Sequence, residues 1–178
     1  LNIMKIELKN FKHYERLSEE TYCFVGNIWV NGIKCGYAEN TGKGGCTSYH
    51  HEGTEQSRDL IRQAEAYCLT LPPMEWENNG KKYSFDMNLY TYLDNLADNL
   101  IKAKYKEKDA QKLRKEMQKA ILIGNNDTYT KIGFKIPLKE LMEKHPDYFR
   151  STLKDRLAKY GKGNYRLLNT NIPQSFLI

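Results

Sequence analysis

Apolar and polar residues alternate through roughly the first fifty positions, then apolar residues recur every three or four, so the chain reads as sheet followed mostly by helix. Ile3, Ile6 and Leu8 open a strand. Residues 22–30 and 33–38 form two more, joined by Asn31-Gly32. Asn-Gly is a strong hairpin signal because a type I′ turn needs positive φ at both central residues. In 22–30 the alternation puts Phe24, Gly26, Ile28 and Val30 on one side and Cys23, Val25 and Trp29 on the other. Apolar residues on both sides predict a strand that is central or covered on both faces. Residues 40–45 read as a turn or loop, and 46–50 as a third strand of the group.

Thr54 is placed to cap a helix whose buried stripe is Leu60, Ile61, Ala64, Tyr67, Cys68 and Leu71, and Pro72-Pro73 ends it. Residues 76–88 read as irregular, with a turn at Asn78-Asn79-Gly80 and a short strand at 82–85. Asp86 or Asn88 caps the next helix. Its stripe is Leu89, Leu93, Leu96, Leu100 and Ala103, resuming at Ala110, Leu113, Met117 and Ile121. Residues 106–109 between these runs carry no apolar side chain, so one long helix leaves the core there or two helices turn there. The lack of Gly or Pro favours one long helix.

Two strands follow at 120–123 and 129–136, joined by a loop at 124–127. Pro137 begins a short helix, and Pro146 occupies the first position of another, lined by Phe149, Leu153, Leu157 and Tyr160 and closed by Gly161. A last strand is expected at 165–168. The sum is an α+β fold: an antiparallel sheet with an N-terminal β-hairpin, packed by about four helices, one of them long and basic. Its 178 residues suit a single domain over 1–178, with 86–120 as a helical extension.

Composition changes this picture in three ways. Apolar residues make up 40% of the chain, enough for a core. No apolar run approaches the ~20 residues needed to span a bilayer, and the first ten residues lack the apolar centre of a secretion signal, so a cytoplasmic protein with no membrane contact and reduced thiols is expected. The net charge of +6 favours a polyanionic or acidic partner. Most of that excess lies in residues 102–119, where eight cations (Lys102, Lys104, Lys106, Lys108, Lys112, Arg114, Lys115 and Lys119) meet three acids. Such a helix releases counterions on meeting phosphates, and Tyr105 among the lysines is suited to stack on a base. The same run also reads as a solvated helix face.

Three other features bear on chemistry. Gly42-Lys43-Gly44-Gly45 lets backbone approach a phosphate with Lys43 adding charge, but the Walker spacing and its following helix are missing, and a hairpin turn explains it more simply. Cys46, His50 and His51 are weak zinc candidates, with Cys35 isolated and adjacent histidines pointing to opposite sides of an extended chain. As a Cys-His catalytic pair, the same residues lack any family signature. Neither a cofactor nor an enzymatic activity is expected.

Val30-Asn31-Gly32 and Gly42-Lys43-Gly44, in a hairpin, strand, helix order, resemble the end of a double-stranded-RNA-binding domain, although its Lys-Lys-x-Ala-Lys helix start is replaced here by Ser57-Arg58-Asp59. A broader likeness runs through residues 15–21, 30–38 and 44–47, then Ile132-Gly133-Phe134-Lys135-Ile136-Pro137-Leu138 and Leu167-Leu168-Asn169-Thr170-Asn171. These resemble an uncharacterised family of small proteins from phages and mobile elements of Bacteroidetes-type bacteria. That resemblance implies anti-defence context, with inhibitors of RNA-guided nucleases (anti-CRISPR type) among such proteins. The expectation is therefore a non-enzymatic phage accessory protein that binds RNA or an RNA-guided nuclease complex in the bacterial host cell. The alternatives are a protein–protein inhibitor that meets an acidic surface without nucleic acid, and a small metal- or thiol-dependent enzyme built on Cys46, His50 and His51.

Overall fold

The structure is a computed structural model, and it describes residues 3–125 and 127–177. Among these residues the fold is α+β, with nine strands in three antiparallel sheets and four α-helices. It divides into two compact units, Leu1–Lys104 and Tyr105–Ile178.

Unit 1 is built on a four-stranded sheet in the order β1 (Ile6–His13), β2 (Phe24–Val30), β3 (Ile33–Asn40), β4 (Ser48–His51). The β2–β3 turn takes the positive φ values that Asn-Gly permits, 50° at Asn31 and 82° at Gly32. β2 is a central strand, as its two-sided apolar pattern predicts. Phe24, Ile28 and Val30 face a core completed by Ile6, Leu8 and Ala38 from the sheet, by Ile61, Ala64 and Cys68 of α1 (Glu55–Cys68), and by Leu89, Leu93 and Ala97 of α2 (Leu89–Met117). The Thr54 side chain caps α1 by accepting the Ser57 N–H at 3.1 Å. Asn88 begins α2 in the same way, accepting the Thr91 N–H at 2.9 Å.

Residues 74–85 contain the turn expected at Asn78-Asn79-Gly80 and the strand expected at 82–85, and differ from expectation in one further strand at 74–78. They form a two-stranded hairpin, β5 (Met74–Asn78) and β6 (Lys81–Phe85), around a left-handed Asn79-Gly80 turn. Pro72-Pro73 and the intervening Glu75 and Glu77 mask the Met74/Trp76 alternation that makes β5 a strand. α2 is continuous across 106–109, the outcome favoured by the lack of Gly and Pro.

Unit 2 contains the end of α2, then β7 (Ala120–Gly124), β8 (Tyr129–Gly133), α3 (Leu138–Lys144), α4 (Pro146–Tyr160) and β9 (Arg166–Leu167), with β7 between β8 and β9. The β7–β8 loop expected at 124–127 includes Asn126, which lies outside the described residues. Every residue of β7 is buried. Ile121 and Ile123 join Leu138, Leu141, Phe149 and Leu153 in one core, while Ala120 and Leu122 join Met117 and Leu113 in another.

Asn169 ties these layers together. Its Oδ1 accepts the Leu122 N–H at 2.7 Å, and its Nδ2 donates to the Ala120 carbonyl at 2.9 Å. Asn171 Nδ2 donates to the Met117 carbonyl at 2.8 Å, satisfying a helix-end acceptor that has no partner within the helix. Gly161 follows α4 as expected but at φ −81°, so positive φ is not what calls for glycine there. A Cβ would lie 2.7 Å from the Leu157 carbonyl oxygen, and that close approach is what favours the missing side chain.

Candidate nucleic-acid interface

The basic helix is set in unit 2 by a narrow apolar edge. Leu113 and Met117 hold its last turns against Leu122, and Lys106, Lys108, Lys112, Arg114, Lys115 and Lys119 are exposed. Arg114 and Lys115 in the last turn also sit favourably at the negative end of the helix dipole. Beside this edge lies a shallow groove of about 550 Å³ lined by Lys108, Lys112, Lys115, Lys119 and Lys131, with Gln111, Asp109 and Glu116. Five ammonium groups thus face two carboxylates.

Glu116 organises the groove wall. It accepts the Tyr129 phenol at 3.0 Å through Oε2 and meets the Lys131 Nζ at 3.6 Å through Oε1. The hydrogen bond to Glu116 raises the Tyr129 pKa above its ordinary value, keeping the phenol protonated. Tyr129 and Lys131 alternate outward on β8, so β7–β8 pairing carries a fifth lysine to the helix lysines. Lys131 lies outside the lysine run of 102–119 that the sequence singles out. The signal available for it was the outward alternation Tyr129, Lys131, Gly133 along an expected strand.

Of the ten residues singled out for binding, the groove gathers Lys108, Lys112, Lys115 and Lys119. Arg114 is exposed and pairs with Glu107 at 3.6 Å, and Lys106 is exposed outside the groove lining. Tyr105 is half-buried. The remaining three belong to unit 1. Lys102 is held at 2.6 Å by Asp98, which raises the lysine pKa. Lys104 is exposed; burial first, and then the Lys104 charge, lower the His13 pKa.

Lys43 is exposed in the glycine loop, whose polar groups are engaged internally. The Asn40 Oδ1 accepts the Gly42 N–H at 2.9 Å, and its Nδ2 donates to the Gly45 carbonyl at 3.0 Å. The Gly42 carbonyl accepts from the N–H groups of Glu19, Glu20 and Thr21, and a Cβ at Gly42 would lie 2.3 Å from the Leu17 oxygen. The loop is a folded turn at positive φ, with Gly42 and Gly44 at 84° and 82°.

Cys46 is exposed in the same loop, ahead of β4. His50 and His51 project to opposite sides of β4, as an extended chain requires. His50 stacks on Tyr37 with ring centroids 4.9 Å apart, while His51 Nδ1 accepts the Gly53 N–H at 3.0 Å. Among the described residues, no group of three or more His, Cys, Asp or Glu side chains is arranged to hold a metal ion. No helix there is long and apolar enough to cross a membrane.

Comparison with family models, with curated proteins and with solved structures finds no match for this chain.

Proposed function

We propose that the protein is a non-enzymatic RNA-binding protein that grips the phosphate backbone in the unit 2 groove. The observation that carries this reading is the convergence of Lys108, Lys112, Lys115, Lys119 and Lys131 on one surface. Lysines four residues apart on a helix are separated by about 6 Å along its axis, close to the spacing of successive phosphates on a strand. Each ammonium that meets a phosphate releases condensed counterions, which supplies affinity without sequence preference. Taken with the resemblance to small phage and mobile-element proteins, this reading makes the protein an inhibitor of an RNA-guided defence nuclease that competes for its guide RNA.

The test is binding of a labelled RNA at rising salt. Five phosphate contacts predict a log–log salt slope of roughly −3.5 for a single strand to −4.5 for a duplex. Lys108→Glu, Lys112→Glu and Lys115→Glu combined should weaken binding at least tenfold and flatten that slope. Affinity that ignores both salt and charge reversal would end the proposal.

One observation favours a second reading, a protein–protein inhibitor. The β5–β6 hairpin exposes Trp76, Tyr83 and Phe85, with Trp76 and Tyr83 stacked 5.0 Å apart. A partner retained from nuclease-treated lysate by the parent protein, and lost on Trp76→Ala, would support that reading over the first.

A further inference from the structure

The two edges of the unit 1 sheet, β1 and β4, differ in kind. The β1 edge is guarded. Its register shifts between Lys9 and Lys12, with Asn10 at a φ of 51°, and both lysines place charge beside it. Bulges and lysines keep an edge from pairing with another chain. The β4 edge has neither. Ser48–His51 pairs with β3 in unbroken register, contains no Lys, Arg, Asp, Glu or Pro, and is met by no further strand among the described residues. Just past its end the Glu52 N–H donates to the Cys35 carbonyl at 3.0 Å. Ladder bonds alternate along an antiparallel strand, so the peptide groups of His50 also turn toward β3, and those of Tyr49 and His51 turn toward the open edge.

That edge opens on a groove of about 500 Å³ between β4 and α1. Tyr49 packs on the core and His50 stacks on Tyr37 across the sheet's other face, yet Tyr49, His50 and His51 all line the groove. Three consecutive residues of a strand share one wall where the cavity runs along the strand's edge. α1 supplies the rest of the lining with Arg58, Arg62 and Glu65 around the buried Ile61. The Arg58 Nη2 donates to the Gly53 carbonyl at 3.0 Å, a neutral acceptor that orients the guanidinium without matching its charge. Arg62 meets Asp59 at 3.4 Å in an exposed pair that water screens. Glu65 is engaged already, accepting the Tyr49 phenol at 2.6 Å.

We infer that β4 and α1 form a docking groove for an extended peptide of a partner protein, which adds a strand at β4 and sets a carboxylate side chain against Arg58 and Arg62. The outward N–H and C=O groups of Tyr49 and His51 match the backbone of another strand. A nucleic-acid backbone carries no such alternation of donors and acceptors. The arginine fork takes a carboxylate in two parallel hydrogen bonds, and the pairing register decides which side chain reaches it. A second copy of this chain pairing through its own β4 would offer Ser48–His51, which holds no carboxylate. The inference stands whether or not unit 2 binds RNA.

The experiment pans displayed random heptapeptides against the full chain. Enriched peptides should share an Asp or Glu at a fixed place, and exchanging that acid for its amide should weaken binding about tenfold. A bound peptide should slow hydrogen exchange at the Tyr49 and His51 amides about tenfold or more, which contact through side chains alone does not do. Arg58→Glu, an acid near the positive end of the α1 dipole, should weaken binding about tenfold or more. His51→Pro removes one outward N–H at an edge position that tolerates proline, and should do the same. Lys112→Glu in unit 2 should leave peptide binding within about twofold. The exchange measurement uses the parent protein, so it decides the case even where a variant misfolds. Failure to enrich any acidic sequence, binding that survives Arg58→Glu or His51→Pro, or unprotected Tyr49 and His51 amides each overturns the inference. Sedimentation at the mass of two chains, returning to one on His51→Pro, assigns the edge to a second copy and overturns it as well.

Discussion

β2 of unit 1 and β7 of unit 2 are both central strands rich in apolar residues, yet they are used in opposite ways. In β2 burial alternates, with Phe24, Gly26, Ile28 and Val30 buried and Val25, Asn27 and Trp29 half-buried. In β7 all five residues are buried. The first pattern belongs to an antiparallel sheet with helices on one face, the second to a strand packed on both. The difference determines where each unit can present chemistry. Unit 1 retains a sheet face carrying rings and lysines. Unit 2 spends both faces of its central strand on stability, so its charge is displayed by the exposed side of α2 and the outward residues of β8.

Truncating core residues tests this contrast most severely. Ile121→Ala and Leu122→Ala, neighbours on opposite faces of β7, should each cost about 2–5 kcal/mol in urea unfolding. In β2, Ile28→Ala should cost a similar amount, whereas its neighbour Asn27→Ala should stay within about 0.5 kcal/mol. A large loss at Asn27 would break the contrast.

Asn169→Ala should follow, at about 1–3 kcal/mol, because it strips the Leu122 N–H of its acceptor and the Ala120 carbonyl of its donor in a buried setting. Asn169→Asp, which sets a buried carboxylate against the Ala120 carbonyl in place of the donor, should cost more than Asn169→Ala in the same unfolding assay. Thr54→Ala should cost about 1 kcal/mol through the α1 cap, with Thr54→Ser close to neutral.

The smallest effect concerns thiols and leaves stability unchanged. Burial pushes the Cys35 and Cys68 thiols up to about 11, and Cys23 is also buried, whereas Cys46 is exposed. Alkylation at pH 8 should therefore modify Cys46 alone among the four, as read by mass spectrometry, because the thiolate is the reacting species. Rapid labelling of Cys35 or Cys68 would mean that unit 1's core opens far more readily than its packing implies.

Much of the local structure is legible along the chain. Asn31-Gly32 specifies its hairpin turn, Thr54 and Asn88 specify helix starts, and Pro137 and Pro146 mark the entries to α3 and α4, because each acts on backbone groups a few residues away. The density of lysines in 102–119 is equally a property of the sequence. Which of them share a surface is not. Leu113 and Met117 set the rotation of the helix against Leu122, and the β7–β8 register supplies Lys131 from a strand that follows the helix. The use of β2's second face is likewise invisible in its alternation, since Val25 and Trp29 suit a covered face as well as a half-open one. Propensity, capping and turn chemistry act over a few bonds and can be read from the chain. Convergence of charge and the fate of a sheet face depend on packing between distant segments, and only the tertiary structure decides them.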